Sequence, residues 1–585
     1  MKFINTIILA LLLAAAGTTT LNAQKSAIDV PLPFDRYYDL EDVYKAIEVL
    51  NEAFPELTSA EVIAQSEEGR DVWAFTINNP ETGDHLSKPG VYVDGNIHGN
   101  EIQATEVVLY LMNYLLTNYG EVENITELVD RNAFYFVPSV NVDGRYHFFN
   151  NANTPSTNRG LRVPGDGIRD AVSDRSISND LNNDGSITQM RKRDPFGQWK
   201  THPEDPRLMV RAEPGEFGEW TLLGQERYDI TEDTQISEDA ERYVDPNRDW
   251  GSNWAPPYVQ RGAGDYPFMG NVTKAIAEYM VDRPNIIMVF AFHNTGGMFL
   301  RGPGTKARGP LNPNDVAVYD ILGQNAEKIV PGYDYLISWK DLYSTYGDFT
   351  EFTYNTIGAF SFVGELFMAR QETYAAYEDL MSEDQESLGF GTTTEQDLQR
   401  LKFNDNVAHG TLFKEWEPFE HPIYGEIEIG GWAKMSTRIS HPFMLKDMAH
   451  RNAAAVLFAA AQTPDVEMEI IRNERIDDNL NRVRVRLVNH NAIPTMTNHA
   501  VQNQLYPKDM LTANGDNIRV VAGGKVTDRF RDRVDYKEHR PELQFLRIAG
   551  TSVEYYDFLV EGNGELTIEY NSRKAGSRSE TVGIR

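Results

Sequence analysis

Four short, largely apolar runs punctuate the first three-quarters of the chain: Gly90 to Val93, Ala133 to Val137, Ile286 to Phe292 and, with Ser361 inside it, Ala359 to Val363. Runs of this length with no polar alternation read as strands buried on both faces. A fifth stretch, Asp71 to Ile77, alternates and reads as a half-buried strand. Between them lie helical spacings. Tyr37 to Phe54 places Leu40, Val43, Ala46, Ile47 and Leu50 on one face, with Asp39 as N-cap and Pro55 as stop. Ile102 to Tyr119 does the same with Val107, Val108, Leu111, Met112 and Leu115, and Met444 to Gln462 with Met448, Ala454, Val456, Leu457 and Ala460. Doubly buried strands alternating with helices predict an α/β fold: a mostly parallel mixed sheet with helices on both faces. Residues 148–240 and 371–440 are polar excursions with little periodicity, and length of that kind inside a domain points to function or local tethering. After residue 465 the texture changes to alternating stretches (Asn481–Val488, Asn517–Val521, Leu543–Ile548, Glu565–Tyr570) separated by turn residues. These predict a small all-β sandwich. The expected division is a unit at 24–465 and an accessory sandwich at 466–585.

The residues that follow the buried runs are His98 and Glu101, Asn141, His293, and Glu365. In open α/β sheets ligands gather beyond the carboxyl ends of the strands. His98 and Glu101, three residues apart, are a pair that can hold one cation together, although the spacing alone is common on surfaces. His293 adds a second imidazole at another strand end. Two histidines and one glutamate are the donor set of a catalytic zinc site with a position left for water.

Composition narrows the function classes. Of 585 residues, 41% are hydrophobic and 24% charged, and 55 basic against 87 acidic residues give a net charge of −32. A chain this acidic is not a nucleic-acid binder and does not adhere to anionic membranes. Lys2 followed by the mostly apolar Phe3 to Ala16 and by Leu21-Asn22-Ala23 reads as a cleaved signal peptide over residues 1–23. No later stretch is apolar for long enough to span a bilayer, so no stable membrane insertion is expected after cleavage. There is no cysteine, hence no disulfide framework and no lipid-anchored cysteine. A bacterial periplasmic or secreted protein fits these features.

The motifs Gly95-Asn-Ile-His98-Gly-Asn-Glu101, Pro138-Ser-Val-Asn-Val-Asp-Gly144 and Asp245-Pro-Asn-Arg-Asp249, then the His293 and Glu365 strands, follow one another in an order that resembles the zinc metallocarboxypeptidases. The likeness covers roughly residues 35–465 and includes Glu68-Gly69-Arg70. The wording around His98 is most like the regulatory branch, which also carries a β-sandwich after its catalytic domain. The resemblance implies a Zn2+ ion held by His98, Glu101 and His293, with Glu365 as general base. It implies that Arg191, in Met190-Arg191-Lys-Arg, polarises the scissile carbonyl, with Arg193 as its rival. It makes Asn247 and Arg248 the clamp on a substrate's C-terminal carboxylate, a role that suits a bidentate guanidinium. Tyr343 takes the place of the family's mobile tyrosine, with Tyr346 as its rival. Three departures stand out. Asn100 occupies the place where the digestive branch has an arginine. Asn141-Val-Asp-Gly lacks the family's proline. The stretch after His293 carries no acid to receive a basic side chain, which leaves an acidic or polar preference involving Arg301 open.

A second metal motif lies in the first excursion. Asp180, Asn182 and Asp184, with Gly185 and Thr188, match the opening of a calcium loop, although Arg191 stands where the closing glutamate belongs. The competing reading is an Asx-rich turn that satisfies its own backbone. Together these features give an expected function: a secreted zinc carboxypeptidase acting on peptide or protein C-termini. The alternatives are a peptidoglycan-peptide hydrolase with the same site, or a catalytically silent peptide- or glycan-binding surface protein.

Overall fold

The computed structural model describes residues 32–152, 161–163, 180–227, 242–367 and 394–585. The signal-peptide expectation lies outside the described residues. The central feature is an eight-stranded mixed sheet. In chain order its strands are β1 (Thr58–Gln65), β2 (Asp71–Ile77), β3 (Gly90–Gly95), β4 (Ala133–Val137), β5 (Ile286–Asn294), β6 (Met298–Arg301), β7 (Asp334–Ile337) and β8 (Phe360–Leu366). They lie side by side as β1-β2-β4-β3-β5-β8-β6-β7. The four central strands β4, β3, β5 and β8 run parallel; β1 pairs antiparallel with β2, β2 with β4 and β6 with β8, while β6 and β7 run parallel to each other. Every residue of β3, β4 and β5 is buried, as continuous apolar runs require.

Helices cover both faces. One face packs against α1 (Leu40–Ala53), α2 (Gln103–Asn118), α5 (Pro313–Ile329) and α6 (Leu445–Ala461). The other packs against α4 (Asn271–Val281), with Trp250, Phe349 and Phe352 filling the same layer. The helix α3 (Val142–Asn150) leads off from the end of β4, N-capped by Asn141, whose Oδ1 accepts from the Gly144 amide. Helix α1 buries the five apolar positions that its spacing predicts, and Asp39 caps it by accepting from the Asp42 amide. An ion pair at zero exposure, Arg145 to Glu106 at 2.8 Å, joins α3 to α2. The Arg145 guanidinium also donates to the carbonyl oxygens of Ile102 and Tyr38.

A second, six-stranded sheet is built from the polar excursions. Its strands are 413–421, 425–432, 189–193, 220–225, 199–201 and 209–211, in that spatial order. Two of them, 199–201 and 209–211, are only three residues long, too short to register as periodicity. From Val466 onward a five-stranded and a four-stranded antiparallel sheet enclose Val483, Val485, Leu487, Leu511, Phe558, Val560, Leu566 and Ile568. This is the expected sandwich. It docks onto the α/β layers through polar contacts. The Lys574 ammonium donates to the carbonyls of Ile286 and Ile357, and the buried Asp315 carboxylate accepts from the backbone amides of Asn498 and His499. Among the described residues no helix is long and apolar enough to cross a membrane.

Candidate metal centre and active site

The turn after β3 sets the geometry of the site. A side chain at Gly95 would come within 2.9 Å of the Ala104 backbone, so only glycine lets α2 begin this close to the strand. Asn96 follows in the left-handed region (φ 61°), which asparagine tolerates better than most residues. Its side chain donates to the His98 carbonyl and accepts from the Ser139 hydroxyl, which fixes the turn against the end of β4. His98 and Glu101 therefore leave the sheet in a defined pose, with the Glu101 amide donating to the His98 carbonyl at 2.9 Å.

His293 meets them from the end of β5. His98 Nδ1 lies 2.9 Å from one Glu101 oxygen and His293 Nδ1 lies 3.1 Å from the other. One donor atom from each of the three residues falls within 4.8 Å of the others, and all three side chains are buried. Burial alone would raise the Glu101 carboxyl, but the two imidazoles override it and hold the group well below the usual carboxylate range. On its far side His98 Nε2 lies 2.9 Å from Asp245 Oδ1. In the tautomer that donates Nε2–H to Asp245, the Nδ1 lone pair faces the Glu101 carboxylate. Two imidazoles and one carboxylate converging in this way are a donor set that fits a zinc ion. Among the described residues it is the one group of three or more such side chains that could hold a metal.

Glu365 lies on β8 directly opposite His293 in the parallel register with β5, and opposite Met298 across β6. It lines a cleft shared by Glu101, Asn294, Tyr343 and Arg438. The loop between β5 and β6 folds over the end of β8: the Gly297 amide donates to the Glu365 carbonyl and the Thr295 hydroxyl to the Phe367 carbonyl. Tyr343 is substantially exposed at the rim of the cleft, whereas the Tyr346 amide is tied to Gln260.

Asp245 links the metal donors to the next motif. The same Oδ1 that meets His98 accepts from the Asn247 amide and caps the short turn Pro246–Arg248. Asn247 Oδ1 accepts from the Phe349 amide, and the Trp250 amide donates to the Gly347 carbonyl, so this turn is stitched to the chain that carries Tyr343. The buried Arg248 donates Nη1 to the Asn247 carbonyl, and among the described residues no carboxylate pairs with it. Asp143, of the Asn141-Val-Asp-Gly motif, accepts from Arg70 at 2.7 Å and from the Ser66 hydroxyl and Glu68 amide, which gives Glu68-Gly69-Arg70 a structural task.

Two expectations end up elsewhere. Arg191 lies in the six-stranded sheet, with its guanidinium carbon 4.1 Å from the ring centres of both Trp220 and Trp416 and an ion pair to Glu428 at 2.6 Å. None of its partners belongs to the metal cluster or the cleft. Its rival Arg193 is exposed and rests on Trp220. The Asp180 loop is occupied by its own backbone. Asp180 accepts from the amides of Asp184 and Gly185, Asp184 accepts from Ser186, and the Lys414 ammonium sits 3.5 Å from Asp184. That is the Asx-turn reading, and calcium gains no support from it. Arg301 faces Tyr335 and Tyr319 and does not line the cleft. Sequence reasoning assigned no role to Asp245 or Arg438. Asp245 had a signal, since it opens the Asp-Pro-Asn-Arg motif; Arg438 had none.

A family model described as zinc carboxypeptidase matches residues 43–191 and 224–388, more than half of the chain. A model of a domain of unknown function matches 465–583. Human carboxypeptidase D is 32% identical over 121 residues, covering 21% of this chain and 9% of that protein. Zinc carboxypeptidase A 1 of Drosophila melanogaster is 31% identical over 125 residues, covering 21% and 27%. An inactive metallocarboxypeptidase of Saccharomyces cerevisiae is 28% identical over 130 residues, covering 22% and 30%. The aligned stretches thus span less than a third of each of these relatives. Among solved structures, carboxypeptidase A from Helicoverpa armigera is similar with a TM-score of 0.42 and 17% identity, over 78% of this chain and 81% of that one.

Proposed function

The chain belongs to the zinc carboxypeptidase family, and from that premise we propose that it is an exported carboxypeptidase that hydrolyses the last peptide bond of peptides or proteins. The observation that carries this reading is the cluster of His98, Glu101 and His293 beside Glu365 on the adjoining strand. A zinc ion on those three donors supplies a Lewis acid and lowers the pKa of a water toward about 7. Asp245 fixes the His98 ring so that Nδ1 faces inward. The Glu365 carboxylate takes a proton from the attacking water and passes it to the leaving amine, so water and the peptide become a new carboxylate and a free amino terminus. Arg248, buried without a carboxylate of its own, receives the substrate's C-terminal carboxylate as a charge-assisted pair, with Asn247 beside it. Tyr343, exposed at the rim, closes over the bound residue.

The test is metal analysis of the exported protein together with hydrolysis of peptides that vary in their last residue. The reading expects one zinc per chain, release of single C-terminal residues, and loss of turnover in Glu365→Gln. C-terminally amidated peptides should resist. A chain without zinc, or a Glu365→Gln variant as active as wild type, overturns it. The inactive yeast relative supplies the contrary case: a folded, zinc-loaded chain that binds peptides and cuts none would make this a binding protein.

A further inference from the structure

The reaction needs a positive group facing the scissile carbonyl oxygen as negative charge builds there, and Arg191 is committed to another sheet. Resting on the carboxypeptidase reading above, we propose that Arg438 is the catalytic cation of this site. Arg438 lines the cleft that Glu101, Glu365 and Tyr343 also line. Among the described residues no carboxylate forms an ion pair with it, and its buried Nε–H has no hydrogen-bond partner. A permanently charged, planar donor that shares its cleft with the general base is a preorganised partner for a developing oxyanion.

The position is fixed from several sides. Arg438 Nη2 donates to the Asn294 carbonyl at 3.0 Å, and the Asn294 side chain donates back to the Arg438 carbonyl. Asn294 follows His293 on β5, so this reciprocal pair ties residue 438 to the strand that carries a metal donor. The flanking chain is anchored at both ends. Lys434 donates to the carbonyls of Phe148 and Asn151 at the end of α3, and the Ser440 amide donates to Gln103 Oε1 at the start of α2. Between these anchors the turn closes with the Arg438 amide on the Met435 carbonyl at 2.8 Å. Arg248 already provides for the substrate's terminal carboxylate. The cation by Glu365 is thereby left for the carbonyl.

The test uses the full-length, zinc-loaded protein and the variants Arg438→Ala and Arg438→Lys. Four readouts are compared: kcat, KM, zinc content, and affinity for a phosphinate pseudopeptide whose tetrahedral anion mimics the transition state. Arg438→Ala should lower kcat by about 10²–10³-fold, the cost of losing one oxyanion donor. KM should change by less than about threefold, since an interaction made only in the transition state leaves ground-state binding alone. Phosphinate affinity should fall with kcat/KM, zinc content should stay at the wild-type level, and added guanidinium should restore part of the turnover. Arg438→Lys should recover part of kcat, and it carries the test if the alanine chain does not fold. An unchanged kcat, an effect confined to KM, or a loss explained by missing zinc overturns the assignment. Failure of the carboxypeptidase reading looks different: wild type itself would cut no peptide. The phosphinate comparison still decides Arg438 in that case, and equal affinities in wild type and variant refute it.

Discussion

Replacing Arg191 with glutamine separates the role its motif implies from the role its surroundings imply. The guanidinium is sandwiched between two indoles at 4.1 Å each, and its side chain retains only 8% exposure. A stacked, mostly desolvated cation on tryptophan is worth about 1 kcal/mol or somewhat more, so two such contacts contribute about 2 kcal/mol. The ion pair to Glu428 adds about 1 kcal/mol at most, because the glutamate is 28% exposed and solvent screens it. Arg191→Gln should therefore cost about 3 kcal/mol of stability. With an unfolding entropy of about 2 cal/mol/K per residue, a cooperative unit of about 400 residues melts about 4 °C lower for that loss.

The assay pairs a thermal melt of the zinc-loaded variant with kcat and KM at a temperature well below the transition. A structural Arg191 gives a lowered Tm and a kcat within about threefold of wild type. A catalytic Arg191 gives the opposite pattern: a kcat loss of about 10² or more with the melt unmoved. That second result would refute the placement of this arginine and weaken the case for Arg438 with it.

Asp245→Asn should weaken zinc binding about 10–100-fold, measured by competition with a chromophoric chelator, because the partner that orients His98 loses its charge. Arg248→Gln should raise KM for free-acid peptides and narrow the difference between them and C-terminally amidated ones; retained discrimination would assign the clamp elsewhere. Burial pushes the Lys574 ammonium down to about 7, with Arg573 adding to the effect. Its unfolded value is near 10.4, so the unfolded chain holds the proton more tightly between pH 7 and 10, and this group makes stability rise with pH across that window. Denaturation of Lys574→Met across the same range should lack that rise, which amounts to at most about 1.4 kcal/mol per pH unit. Adding calcium to chelator-treated, zinc-restored protein should leave the melting temperature unmoved, since the Asp180 and Asp184 oxygens are already bonded to their own loop.

Much of the fold was legible because burial leaves a mark on every residue of an element. Strands β3, β4 and β5 are buried at each position, so their sequences are apolar runs in which polar residues, Asp94 in β3 and His293-Asn294 in β5, enter only near the carboxyl ends. Helix α1 announces both its face and its cap. Where burial is partial the mark fades. Strand β1, between the clear helix α1 and the clear strand β2, buries none of its residues fully, and its Thr-Ser-Ala-Glu opening carries no strand pattern. The second sheet was illegible for another reason. Its three-residue strands 199–201 and 209–211 are too short to repeat an alternation, and its longest pair, 413–421 and 425–432, joins strand 189–193 from far along the chain. Beside a small apolar cluster of Met190, Ile427 and Ile429, arginines on indoles contribute to its cohesion: Arg191 on Trp220 and Trp416, Arg211 on Trp199, Arg400 on Trp432. Positions of that kind read as loop because each residue, taken singly, is what a loop would carry.

The site divides along the same line. His98, Glu101, His293 and Glu365 were legible as a group because each lies near or just beyond the carboxyl end of a strand of one sheet, and adjacency in a parallel sheet converts similar positions along the strands into proximity in space. Met190-Arg191-Lys-Arg shows the limit of that logic. Its wording matches a motif, but the strand that carries it belongs to the second sheet, and Trp220, Trp416 and Glu428 are partners no local pattern reveals. Arg438 shows the converse. It sits in a turn with no periodicity, and its reach to the cleft depends on Lys434 finding the end of α3, Ser440 finding Gln103, and Asn294 bonding it from the strand. Each contact is ordinary and long in sequence separation, and none implies the others. A charged side chain held by such a tether leaves its evidence in three-dimensional closure, which a motif match along the chain does not register.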